Sequence, residues 1–150
     1  MLYDPKHAGH HRLEDRLRSA TAITPALMAE VVQACARVPA LSSAAKSKIS
    51  RLIKSEAWTD AALALLEFES PQWQLRRLAC ADGEWWCTLS RQPWLALELD
   101  EAVEARHDVL PLAILIAVVE ARQTASVESS TTVPRVHSAQ EYPVCCDNFS

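Results

Sequence analysis

Apolar residues at Leu27, Met28, Val31, Val32, Cys35 and Val38 recur at the three-to-four spacing that lines one face of a helix. Thr24 stands before them as an N-cap, and Pro25 takes the first helical position, where its missing N–H costs nothing. Ile23 and Met28 are spaced to close a hydrophobic staple across that cap, and Pro39 ends the segment. A second helix is expected from residue 42 or 43 to about 57. Ala45, Ile49, Leu52 and Ile53 share one side of it, and Lys46, Lys48, Arg51 and Lys54 the other. Trp58-Thr59-Asp60 reads as a third start, with Thr59 as cap and Trp58 stapling towards Leu63. That helix runs from residue 60 to about 69, where Ser70-Pro71 stops it. Two helices are preferred to one continuous helix over 43–69.

The period then changes from 3.6 to 2. Two runs rich in Trp, Leu, Cys and Thr flank Asp82-Gly83, the strongest short hairpin signal, because a type I′ turn needs positive φ at both central residues. A two-residue loop sets Cys80 opposite Trp85, Ala79 opposite Trp86, Leu78 opposite Cys87 and Arg77 opposite Thr88. One face then carries Leu78, Cys80, Trp85, Cys87 and Leu89 and is read as the core face. Strict alternation puts Trp73, Leu75, Arg77, Ala79, Trp86 and Thr88 on the other. Residues 94–99 alternate Leu95, Leu97 and Leu99 against Trp94, Ala96 and Glu98, which predicts a third strand. Asp108 is placed to cap a last helix that tolerates Pro111 in its first turn. Residues 109–121 are apolar nearly all round, so this helix should be the best buried element, packed on the sheet.

The predicted class is α+β: N-terminal helices, a two- or three-stranded antiparallel β-meander, a buried C-terminal helix and a disordered C-terminal tail. Residues 1–20 are expected to form a flexible arm, with at most a short helix at 13–17, and residues 21–122 a single domain. The Ser-, Thr- and Pro-containing stretch 123–150 reads as the disordered tail. A chain of 150 residues, 49% apolar and 23% charged, suits one hydrophobic core. With only 2 glycines it has no glycine-rich phosphate loop, and a net charge of −4 gives no global attraction to nucleic acid. The first twenty residues lack the apolar core of a secretory signal, and the longest apolar run, 109–119, is too short to span a bilayer, so a cytoplasmic protein is expected. The 5 cysteines, odd in number and irregular in spacing, are not a disulfide framework.

At the hairpin and the last helix the sequence resembles a group of short, uncharacterised proteins of rhizobia and related soil bacteria. The resemblance covers about residues 57–122 and is carried by PQWQLRRL, by the DGEW turn and by the LAIL helix. Trp94 and the LALEL run depart from the more polar segment of that group. The group has no established activity, so the resemblance implies no functional residues.

Candidate chemistry is sparse. His7, His10 and His11 match no standard zinc spacing, so no metal site and no cofactor is expected. Cys145-Cys146 with His137 and Asp147 lack a cation or helix N-terminus to stabilise a thiolate. Cys87 with His107-Asp108 has the residue types of a nucleophile and base but reads more simply as core packing, a loop and a cap. No catalytic residues are assigned and no enzymatic activity is expected. Two surfaces remain. Trp73, Arg77 and Trp86 would project from the second face of the hairpin, and Trp and Arg dominate binding hot spots. The expected function is therefore a protein-interaction or regulatory module, self-association included. The alternative is a nucleic-acid-binding regulator using Lys46, Lys48, Arg51 and Lys54, with Arg76-Arg77 extending the patch.

Overall fold

The computed structural model describes residues 5–35, 43–69 and 72–130, with backbone alone for 5–11, 69, 97 and 125–130. In chain order its elements are α1 (Pro5–Ser19), α2 (Pro25–Cys35), α3 (Ser43–Lys54), α4 (Trp58–Glu69), β1 (Gln74–Ala81), β2 (Glu84–Ser90), β3 (Ala102–His107) and α5 (Leu110–Ser130). This is the expected α+β class, with the three-stranded form of the meander: β1-β2-β3, antiparallel throughout.

The helix starts follow their caps with two exceptions. Leu27 N–H donates to Thr24 Oγ1 at 3.2 Å and Pro25 opens α2, as expected. The break between α3 and α4 is real and falls at Glu56, whose φ is +56°. Glu56 N–H reaches Ile53 O at 3.0 Å and Ala57 N–H reaches Leu52 O at 2.9 Å, so a left-handed residue closes off the carbonyls of α3. α4 then begins at Trp58, with Ala57 O accepting from Ala61 N–H, so Thr59 lies inside the first turn and is not the cap. At the start of α5 the side chain that meets a backbone N–H is His107 and not Asp108. Val109 N–H donates to His107 Nδ1 at 2.9 Å, which fixes that nitrogen as the unprotonated one.

Three further expectations are corrected. Residues 5–19 form a helix anchored by Leu13 and Leu17, at 7% and 0% exposure, where a flexible arm was expected. The segment 94–99 is not a strand. It holds a single 3-10 turn at Leu97–Leu99, and the third strand is Ala102–His107. α5 continues to Ser130, past the expected boundary at 122. The predicted stops at Pro39 and Ser70-Pro71, and the tail beyond 130, lie outside the described residues.

The core is assembled around α5. Leu112 to Val119 are all buried, and the helix packs on β2 and β3 with one side and on α1 and α4 with others. Such a helix needs apolar residues on every face, which is why its sequence shows almost no amphipathic pattern. The sheet, with Trp73 just before it, contributes Leu78, Trp85, Cys87, Leu89, Val103 and Ala105 to this core.

Candidate functional site

The hairpin register is the expected one: Arg77↔Thr88, Leu78↔Cys87, Ala79↔Trp86 and Cys80↔Trp85, turning on Asp82 and Gly83 with φ of +54° and +82°. Directly opposed residues of an antiparallel ladder point to the same side. Cys87 pairs with Ala105 and Leu89 with Val103, so these share the face that meets α5. The other face carries two rows across the sheet, Ala79–Trp86–Arg106 and Arg77–Thr88–Glu104. None of these six residues belongs to the apolar core, and the helices lie against the opposite face.

The lower half of β1 departs from strict alternation. Gln74 pairs with Ser90 and Leu75 with Leu89, but the next pair is Arg77 with Thr88, so Arg76 is an extra residue in a β-bulge. One inserted residue reverses the parity of everything before it. Trp73 and Leu75 therefore move to the core side, and Trp73 is only 4% exposed, with the Arg91 guanidinium 5.7 Å from its ring. Trp73 does not join Trp86, whereas Arg77 and Trp86 do share the outer face as expected. Cys80, placed on the core face by the same alternation, lies near the hairpin tip and is exposed.

The bulge also aims Arg76 at the loop between β2 and β3. Arg76 Nη1 donates to Asp100 Oδ2 at 2.6 Å and Nη2 to Leu95 O at 3.1 Å. Gln92 N–H donates to Asp100 Oδ1 at 2.9 Å, and Ser90 Oγ donates to Asp100 Oδ2. Burial alone would raise the pKa of this carboxyl, whose side chain has no exposed surface. The bonds from Ser90, Gln92 and Arg76, with the Arg76 charge, outweigh it and hold the group below the usual carboxylate value. Ser90 stands two residues from Thr88 on the outer face and is fully covered, so the loop closes the lower end of that face. Trp94 and Leu99, 73% and 72% exposed, are carried on the same fastened loop.

At the centre of the open part is Trp86. The Arg106 guanidinium lies 4.7 Å from its ring centroid, a cation–π contact. Trp86 Nε1 is buried yet has no hydrogen-bond partner. An orphaned indole N–H costs about 1–3 kcal/mol of lost hydration. In the second row Thr88 Oγ1 donates weakly to Glu104 Oε2 at 3.4 Å. Among the described residues neither Arg77 nor Glu104 has an oppositely charged partner.

The alternative basic surface is more dispersed. Lys46, Lys48, Arg51 and Lys54 are all exposed on α3. At 100° per residue they fan over about half the helix circumference instead of forming a stripe. Lys48 Nζ lies 5.5 Å from the Phe68 ring. Arg76 is held by Asp100, and Arg77 faces away from the helices, so neither extends this surface. As for Cys87 with His107, burial pushes the Cys87 thiol up to about 12, so it stays protonated, and His107 Nδ1 is committed to Val109 N–H. The side chains of His7, His10 and His11, and the residues His137, Cys145, Cys146 and Asp147, lie outside the described residues.

Glu104 and Arg106 were missed by the sequence reading because the third strand was placed at 94–99. The signal was present: Val103, Ala105 and His107 alternate with Glu104 and Arg106 at period 2.

No family model, curated protein or solved structure matches the chain. Among the described residues no helix is long and apolar enough to cross a membrane.

Proposed function

We propose that this chain is a non-enzymatic, cytoplasmic protein-interaction or regulatory module acting through the outer face of its sheet, centred on Trp86. The observation that carries the reading is the state of that residue. It sits on a face that none of the described helices covers, under Arg106, with a buried N–H that lacks an acceptor. An arriving partner gains the burial of an aromatic ring, and a shift of the side chain that let its N–H reach an acceptor would also remove that cost. The fastened loop beside it presents Trp94 and Leu99 as further apolar contacts.

The test compares affinity captures from the native host, quantified by mass spectrometry, of wild type, Trp86→Ala, Arg77→Glu, and Lys48→Glu with Arg51→Glu. A partner held by wild type should be lost from the first two variants and retained by the third. Trp86→Ala must keep a cooperative thermal transition. Equal recovery by all variants sinks the reading, and so does a Trp86→Ala protein that does not fold, since the residue would then belong to the core.

A further inference from the structure

We infer that the partner of the outer sheet face is a second copy of this chain, packed face to face about a twofold axis that runs along the strands above β2. This rests on the proposed use of that face and names its occupant.

Arg77 and Glu104 stand in one row on the two edge strands, with Thr88 between them. Two strand spacings separate them by about 10 Å across Thr88, and among the described residues no ion pair joins them within one copy. A twofold axis along the strands keeps each row and exchanges β1 with β3. It therefore sets Arg77 opposite Glu104 of the second copy, and Glu104 opposite Arg77 of the second copy. In the other row it brings the two Trp86 rings together at the axis and sets Arg106 opposite Ala79, whose small side chain leaves room for the guanidinium on its own Trp86. Arg77 and Glu104 are then compensated in both copies, and Arg106, which meets no acid, keeps the ring of its own Trp86.

A twofold axis across the strands is poorer. It pairs Arg106 with Glu104 but sets Arg77 against Ala79, so the cation left without an acid there also lacks the aromatic ring that Arg106 has. Sheets stacked with strands nearly aligned are an ordinary packing. The face is small: three strands of about six residues present roughly 300 Å² per copy. That lies below the range of tight interfaces, so the dimer should be weak, with a dissociation constant on the order of 100 µM.

The experiment is sedimentation equilibrium of the purified full chain over a wide concentration range at low salt. Wild type should self-associate, less so as salt is added. Arg77→Glu and Glu104→Arg, each alone, should weaken association by about tenfold or more, because each puts like charges across the axis twice. Mixing the two variants in equal amounts should restore association, since the mixed pair has opposite charges at both contacts. A wild type that stays monomeric, single variants without effect, or a mixture that fails to recover would each overturn the inference. If wild type is monomeric while capture of a host protein still depends on Trp86, the face serves another partner. In that case only the identity of the occupant fails, and the interaction reading stands.

Discussion

Replacing Glu120 by glutamine should stabilise the protein at about pH 8 and leave it unchanged at about pH 5. Glu120 lies on α5 against α1, 24% exposed, where it meets Arg18 and Glu14. Burial is the largest influence and raises its pKa. The Arg18 charge opposes this, the Glu14 carboxylate adds to it, and the group ends at about 7. Burial also acts to raise Glu14, but its bonds to Arg18 and Gln123, with the Arg18 charge, hold it below the usual value. The pair thus carries one proton near neutrality, and Glu120 has it. Because the folded value lies above the unfolded one, stability is full below about pH 4.5 and is lost as pH rises through about 7. A gap of about 2.5 pH units corresponds to at most about 3.4 kcal/mol. Solvent screening at a quarter-exposed site and the sharing with Glu14 reduce this to about 1–2 kcal/mol. Glutamine keeps the shape without the charge and gives up the Arg18 ion pair, whose arginine side chain is 44% exposed and which is worth under about 1 kcal/mol. The net gain at about pH 8 is about 1 kcal/mol. Urea unfolding of both proteins, followed by circular dichroism at intervals between these pH values, measures it. A variant less stable than wild type at the alkaline end would mean that the Arg18 pair outweighs burial. A wild type with flat stability across the window would refute the shared proton.

Two more outcomes follow from burial. Leu17→Ala should cost about 3 kcal/mol, because a side chain with no exposed surface leaves a cavity between α1 and the rest of the core; a loss under about 1 kcal/mol in denaturant melts would show that α1 is peripheral after all. In a background with Cys145→Ser and Cys146→Ser, a thiol reagent should modify Cys80 in the native state and leave Cys35 and Cys87 protected until unfolding, read by intact mass; early labelling of Cys87 would contradict its buried, protonated state.

What could be read from the sequence tracks how locally each element is encoded. Asp82-Gly83 sets its own backbone and thereby the register of four pairs, and Thr24-Pro25 sets the start of α2; both are decided within a few residues. Of α1 only a short helix at 13–17 was legible, because among the residues whose side chains are described Leu13 and Leu17 alone are buried, and its stability comes from docking on α5. β3 was missed because Glu104 and Arg106 dilute its apolar side, while the leucines at 95, 97 and 99 alternate more strongly without pairing. The bulge at Arg76 has no local mark at all. It follows from the fit of β1 to β2 and of Arg76 to Asp100, and it turns Trp73 away from the face that Trp86 occupies. Half of the candidate site, Arg77 and Trp86, was legible; Arg106 and Glu104 waited on the correct third strand.

The central position of α5 bears on how the chain is made. Of the described elements it is the last to be synthesised, yet the sheet and α1 lean chiefly on it, and α4 packs on it as well as on α3. At roughly 5–20 residues per second, the apolar side of the hairpin emerges some seconds before the helix that covers it. During that interval Cys87, Leu89 and the buried leucines of α1 and α4 have no common surface to join. Folding should therefore be a late, single event that waits for residues 112–119, and the nascent chain should be a natural client for chaperones that shield exposed strands.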